Sequence, residues 1–171
     1  MRSLQGHQAA VNRVAFSPNS KIVASASKDA TVKLWCVDGK LLNTLLQGYN
    51  DAVSDVSFSA DGQLLASASV DRTVKLWRLD GKLIATLQGH SGWINDVSFS
   101  PDGKLIASAS DDSTIKLWNI RGQLLGSFSV KTQSLCVIFT TNSKNLIAVG
   151  NNSAVYQWSL DLNHLVAQGC N

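Results

Sequence analysis

The sequence contains no glutamate, and all 12 of its acidic residues are Asp. Glu favours helices whereas Asp favours turns, so this bias predicts a chain with many turns and few helices. Positive and negative charges are also nearly balanced, with a formal net charge of +3. This balance excludes the strong field that is typical of proteins that bind nucleic acids or membrane surfaces. We therefore expect neither nucleic-acid nor membrane binding.

Cysteines and long apolar runs are also scarce. Cys36, Cys136 and Cys170 are odd in number and unclustered, which favours reduced thiols in an intracellular protein over a disulfide framework. No apolar run approaches the roughly 20 residues that span a bilayer, and the first residues are too polar for a signal peptide. These features predict a cytoplasmic protein, and its 44% of hydrophobic residues is enough for a core.

The most prominent feature of the sequence is an internal repeat. Four tryptophans follow one another at intervals of 40 to 42 residues, namely Trp35, Trp77, Trp118 and Trp158. Ahead of each, the apolar pattern predicts three short strands. Asp38-Gly39 and Asp80-Gly81 are predicted to be two-residue hairpin turns that lead to a fourth strand, since both positions tolerate positive φ. A period of about 40–45 residues with four strands per unit is typical of propeller blades.

The repeat predicts a single domain over residues 1–171. Its four blades are expected at approximately residues 5–45, 46–87, 88–128 and 129–168. The chain begins part-way through a unit, with a stub of the preceding outer strand at residues 1–4. The fourth unit is expected to end in a weak outer strand within residues 165–171.

Three units share a longer motif. Gly-His or Gly-Tyr is followed by a turn such as Phe-Ser-Pro-Asp-Gly and then by Ala-Ser-Ala-Ser-x-Asp-x-Thr-x-Lys-Leu-Trp. This motif resembles the WD40 repeat family, although the residue after each Trp is never the Asp that gives the family its name. The resemblance implies an all-β fold of four four-stranded antiparallel blades of WD40 type. Because most propellers of this kind close with about seven blades, we expect a partial, open β-propeller.

The end of the chain carries a second resemblance. Leu-Asp-Leu-x-x-Leu-x-x-Gly-Cys resembles the last blades of long WD40 arrays in cyanobacterial-type proteins. Such arrays often follow a nucleotide-binding signalling module. This implies an alternative function, as the C-terminal sensor segment of a larger nucleotide-binding signalling ATPase of the NACHT or STAND type.

Polar residues also recur with the repeat. A Ser-His-Asp set could suggest a catalytic triad, but a triad is needed once, whereas this set recurs in step with the fold. The WD40 resemblance instead implies a structural hydrogen-bond network in each blade, which pairs buried polar groups. Its predicted members are His7, Ser25, Asp29, Trp35, Ser67, Asp71, Trp77, His90, Ser108, Asp112 and Trp118.

Two details of this network differ between units. Ser110 is an alternative to Ser108, because both lie on one face of the predicted strand. The fourth unit has apolar residues or Asn at the network positions, namely Val130, Ala148 and Asn152. We therefore expect blade four to be the softest of the four.

The same resemblance implies that three positions in each unit face a partner on one rim of the propeller. The predicted partner-binding residues are Asn12, Lys28, Ser54, Val70, Trp93, Asn95 and Asp111. Trp93 is distinctive because the first two units have Ala in its place. An aromatic residue on a loop rim is suited to anchor a partner, and the alternative is that Trp93 packs on the edge of its own blade.

No motif in the sequence points to chemistry. A glycine-rich phosphate loop, a Cys-x-x-Cys pair and a nucleophile elbow are missing, and two repeat histidines with His164 make a poor metal site. We predict a non-catalytic scaffold that has no cofactor or metal and binds a protein or peptide through its rim. Because blades bury their faces only against other blades, we also expect self-association to complete the ring.

Overall fold

The structure, a computed structural model, describes residues 3–45 and 49–160. Within these ranges the chain forms fifteen β-strands and no helix, so no described helix is long and apolar enough to cross a membrane. The strands form four antiparallel sheets, and none of them closes into a barrel. The predicted all-β, partial and open propeller is therefore confirmed.

Each of the first three blades has four strands. Blade one contains β1 (Val11–Phe16), β2 (Ile22–Ser27), β3 (Val32–Cys36) and β4 (Leu41–Leu45). Blade two contains β5 (Val53–Phe58), β6 (Leu64–Ser69), β7 (Thr73–Arg78) and β8 (Leu83–Gln88). Blade three contains β9 (Ile94–Phe99), β10 (Leu105–Ser110), β11 (Thr114–Asn119) and β12 (Leu124–Ser129).

Blade four has three described strands. They are β13 (Ser134–Phe139), β14 (Asn145–Gly150) and β15 (Val155–Ser159). The outer strand predicted within residues 165–171 lies outside the described residues, as do Met1 and Arg2 of the stub. In all four blades, strands that are consecutive in the chain are neighbours in the sheet.

Blades pack face to face through one apolar cluster per pair of neighbours. Between blades two and three, the small residues Ala66 and Ala68 of β6 leave room for Ile94 and Val97 of β9. These four residues are at most 3% exposed. Since an isolated blade would leave both apolar faces in water, the core of this protein lies between sheets, as in other repeat folds.

The first strands of successive blades lie next to one another, whereas the outer strands make no comparable contacts between blades. Each first strand has a register irregularity close to its beginning, for example between Val53 and Asp55. Such a bulge bends the strand and increases its twist. The first strands carry the side chains that meet between neighbouring blades.

The Asp-Gly turns differ from the prediction of two-residue hairpins. Only the glycines have positive φ, +101° at Gly39 and +93° at Gly81. Gly81 N donates to Arg78 O at 3.0 Å, and Arg78 N donates to Lys82 O. This makes a three-residue loop in which Gly occupies the strained position. Asp80 is useful for a different reason, because its carboxylate accepts a hydrogen bond from Lys82 N at 3.0 Å.

Candidate functional site

Blades one and three each contain a continuous chain of side-chain hydrogen bonds. In blade three, His90 Nδ1 lies 2.8 Å from Asp112 Oδ2, and His90 Nε2 lies 2.8 Å from Ser108 Oγ. Trp118 Nε1 donates to the same Ser108 Oγ at 2.9 Å. Blade one repeats the arrangement at 2.7 to 2.9 Å with His7, Ser25, Asp29 and Trp35. Each chain ties the turn before the third strand to the indole at the end of that strand.

The chemistry of the Asp fixes the tautomer of the His. A carboxylate only accepts, so Nδ1 of His90 carries the proton and Nε2 accepts from the Ser108 hydroxyl. Burial lowers the pKa of His90, which favours this neutral form. Burial alone would raise the pKa of Asp112, but hydrogen bonds from Thr114, His90 and Ser91 N bring it down to about 2.

Ser108 and Ser110 have different partners. Ser110 Oγ accepts from Asp112 N at 3.1 Å, whereas Ser108 binds the ring of His90 and the indole. The alternative that the sequence left open is thus decided by the structure. The second serine of the Ala-Ser-Ala-Ser motif holds the Asp turn, and the first one belongs to the network.

Blade two has Tyr49 at the place of His. The Tyr49 hydroxyl hydrogen-bonds Ser67 Oγ, and Trp77 Nε1 donates to both groups, at 3.1 and 2.9 Å. Burial raises the pKa of Tyr49 above its usual range. Asp71 accepts instead from Asn50 N and from Thr73. The four-residue chain is therefore split into two parts in this blade.

Blade four fills the same space with apolar groups. Val130 is 7% exposed and Ala148 is 1% exposed, and both pack in the cluster between blades three and four. Asn152 Nδ2 donates to the Tyr156 hydroxyl at 3.1 Å. The Trp158 indole stacks on Tyr156 with ring centroids 5.9 Å apart. Aromatic contacts thus surround the tryptophan of blade four, where a serine binds it in the other blades.

The serine of the network is not accessible to a substrate. Ser108 is fully buried, and its oxygen already interacts with an indole N–H and an imidazole. A nucleophilic serine needs an open approach for a substrate carbonyl. Within residues 3–45 and 49–160, no group of three or more His, Cys or Asp side chains is placed to hold a metal ion.

The loop rim is formed by the turns that precede the first and third strands of each blade. A backbone hydrogen bond joins the two turns in every blade; in blade three it runs from Asp111 N to Trp93 O at 2.9 Å. The equivalent bonds pair Lys28 with Ala10, Val70 with Ala52, and Asn151 with Gln133. The structure therefore brings the predicted rim positions together within each blade.

The side chains at these positions differ in their exposure to solvent. Trp93 is 57% exposed, so more than half of its surface is open to solvent. Lys28 is exposed, whereas Val70 and Asp111 are half-buried. Asp111 Oδ1 accepts from Asn95 Nδ2 at 2.7 Å.

Asn12, Ser54 and Asn95 have a structural task that the sequence did not reveal. Each donates from its side chain to a backbone carbonyl at the start of the next blade's first strand. Asn12 Nδ2 lies 2.8 Å from Val53 O, and Asn95 Nδ2 lies 3.0 Å from Ser134 O. These residues therefore connect blades as well as lying beside the rim.

A second set of inter-blade contacts involves residues that the sequence analysis missed. Asp55 Oδ2 accepts from Val97 N at 3.0 Å, and Asp96 Oδ2 accepts from Val137 N at 2.8 Å. Arg13 Nε lies 3.0 Å from Asp55 Oδ1, in an ion pair that lacks the alignment of a hydrogen bond. Each contact runs from the first strand of one blade to that of a neighbouring blade.

The two carboxylates lie side by side and are buried. Asp55 is 3% exposed and Asp96 is 8% exposed. Burial and the neighbouring charge of Asp96 raise the pKa of Asp55 to about 7, and Val97 N and Arg13 oppose the rise. Cys136 follows in blade four, where burial and Asp96 raise the pKa of its thiol to about 11. The sequence marks these residues only by their position, because Arg13, Asp55 and Asp96 each follow one of Asn12, Ser54 and Asn95.

Known proteins share the repeat. The family model for the WD domain, G-beta repeat (WD40), matches residues 1–36, 39–78 and 81–119, which is more than half of the chain. Ribosome assembly protein 4 of Saccharomyces cerevisiae is 50% identical over 42 residues, which are 24% of this chain and 8% of that protein. The chain therefore spans only a small part of this relative. With three repeats matched and the four antiparallel sheets in place, the chain belongs to the WD40 family.

Proposed function

We propose that this chain is a non-catalytic scaffold that binds a protein or peptide through its loop rim. Trp93 is the observation that carries the proposal. More than half of its surface is open to solvent, and residues of this type provide a large share of the binding energy in many protein interfaces.

Hydrogen bonds hold the backbone at Trp93 in place, which favours binding. The Trp93 carbonyl accepts from Asp111 N, and Asp111 is itself held by Asn95. Asn95 also reaches the first strand of blade four. An anchor on such a support loses little conformational freedom when a partner binds.

Charge on the rim is mixed. Lys28 of blade one and Asp111 of blade three have opposite signs and lie on separate blades. A nucleic acid would instead require a row of positive groups that follows its phosphates. Mixed charge around an aromatic anchor supports a polypeptide partner.

The comparisons support the class of function more than any individual role. WD40 repeats indicate a protein-interaction scaffold. The yeast relative is named for ribosome assembly, but its match extends over the length of one blade. That length supports a shared structural unit and gives no basis for assigning this chain to ribosome assembly.

Trp93→Ala tests the proposal. In an affinity capture from the source cells, the wild-type chain is expected to retain a protein that the variant loses, with the dissociation constant raised at least about tenfold. The matched control is Ile120→Ala, since Ile120 is 40% exposed in the same blade but lies in the turn between β11 and β12, at the opposite edge. Equal capture by wild type and Trp93→Ala would contradict the proposal.

A further inference from the structure

No described residue covers one apolar face of blade one. Val11, Val14 and Phe16 of β1 are 48%, 56% and 63% exposed. We call these three residues the trailing face of blade one. In blades two and three the equivalent valines and isoleucine are buried by the blade that precedes them, with exposures of 0 to 3% at Val53, Val56, Ile94 and Val97.

Within residues 3–45 and 49–160, blade four also has an uncovered apolar face, and it is of the complementary kind. We call it the leading face of blade four, and it consists of Leu135, Ile138, Val149 and Val155, which are 39% to 69% exposed. In blade three the equivalents of the last two residues are Ala109 and Ile115. Both are fully buried in the cluster with blade four.

These two faces are the two halves of a contact that the molecule already makes three times. In every internal junction, the leading face of one blade packs on the trailing face of the next. We propose that the leading face of blade four binds the trailing face of blade one in a second copy of this chain, head to tail. This inference goes beyond the rim function, because it concerns a different surface and a different partner.

A second copy is the occupant that fits both faces at once. One copy offers the leading half and the other the trailing half, so two chains satisfy each other twice if the assembly closes. A head-to-tail contact of this kind gives a ring when its rotation closes and a filament when it does not. Closure is favoured because the second contact forms at high effective concentration.

The chemistry of the leading face of blade four agrees with an apolar contact. In the internal junctions, Asn12, Ser54 and Asn95 donate to a carbonyl of the next blade. Leu135 occupies the equivalent place in blade four and is 49% exposed. The contact between copies therefore depends on burial of apolar surface, which association can supply in the absence of that hydrogen bond.

The experiment measures the mass of the purified chain by sedimentation velocity over a range of concentrations well above micromolar. The wild-type chain is expected to form dimers or larger species. Val14→Lys and Val155→Lys are each expected to raise the dissociation constant about tenfold or more, because the contact would bury an unpaired ammonium group. Ile84→Lys is the matched control, since Ile84 is 43% exposed on the outer strand β8 of blade two.

A mixing experiment tests the head-to-tail geometry. The Val14→Lys chain keeps an intact leading face, and the Val155→Lys chain keeps an intact trailing face. Each variant alone is expected to be monomeric, whereas the mixture is expected to form a one-to-one complex through the single intact contact. Circular dichroism confirms that both variants are folded, which is expected because both side chains are already exposed.

Three results would overturn the proposal. One is a wild-type chain that remains monomeric at every concentration, and another is self-association that both lysine variants retain. The third is a mixture that associates no better than its components, which would indicate contacts between like faces. Trp93→Ala is expected to leave self-association unchanged, so failure of the rim function and failure of this interface can be told apart.

Discussion

Blade three and blade four connect their strands in the same order but differ in the side chains at the positions of the hydrogen-bond network. Blade three places His90, Ser108 and Asp112 there in one hydrogen-bonded chain. Blade four places Val130 and Ala148 in the equivalent space, both buried. Removing both partners of a buried hydrogen bond costs far less than removing one. The comparison teaches that the strand pattern does not require the polar network, provided that the network is replaced as a whole.

The largest expected effect comes from the two tryptophans. Trp118 is 1% exposed and bound to Ser108, so Trp118→Ala is expected to lower the free energy of unfolding by about 3–5 kcal/mol. Trp158 is half-buried among aromatic rings, so Trp158→Ala is expected to cost less than half as much. Urea denaturation followed by circular dichroism measures both values. Equal losses would show that the network adds no stability beyond the packing of the ring.

The next largest effect concerns pH. The pKa of Asp55 is raised to about 7 in the folded chain from 3.8, so the folded state holds a proton that the unfolded state releases. Stability is therefore expected to fall as pH rises from about 4 to about 7. Asp112, whose pKa is lowered to about 2, acts in the opposite sense and loses its contribution only as pH falls below about 4.

Asp96→Asn tests how much the charge of Asp96 contributes to the raised pKa of Asp55. It removes the charge beside Asp55 but leaves an oxygen that can accept from Val137 N, as Asp96 does now. The dependence of thermal unfolding on pH between pH 4 and pH 8 is expected to become weaker in this variant, because the neighbouring charge is removed while the burial that also raises the pKa of Asp55 remains. A slope that matches the wild-type slope would show that the two carboxylates are not coupled.

The smallest expected effect tests the network itself. His90→Ala leaves Ser108 and Asp112 without their buried partner and is expected to lower the free energy of unfolding by about 1–3 kcal/mol.

Transfer of the network to blade four sharpens the comparison. Val130→His alone buries an unpaired imidazole and is expected to cost a similar amount, which Ala148→Ser and Asn152→Asp together are expected to recover in large part. Denaturant midpoints measure each step, and a triple variant no more stable than Val130→His would argue against a transferable unit.

The strands were predictable from the sequence because the apolar pattern repeats. Three short strands were predicted for each unit up to its tryptophan, and each of the four blades has them. The resemblance to WD40 repeats explains why the network residues could be proposed without knowledge of their contacts. It could not separate Ser108 from Ser110, since their roles depend on which atom the Asp turn brings near.

The contacts between blades were not predictable in the same way. One position of the repeat is occupied by three different residue types, namely Arg13, Asp55, Asp96 and Cys136. Their meeting depends on the bulge in each first strand and on the packing of neighbouring sheets, which a local pattern does not encode. The double role of Asn95, between a rim aspartate and the next blade, has the same origin.

The exposure of Trp93 gives the molecule an internal optical probe. Trp35, Trp77 and Trp118 are at most 2% exposed, so their fluorescence is shielded from water and from dissolved ions such as iodide. The emission that iodide quenches most readily in the folded chain therefore comes from the edge where a partner is expected. Occupancy of that edge can be followed by light alone, without attaching a dye.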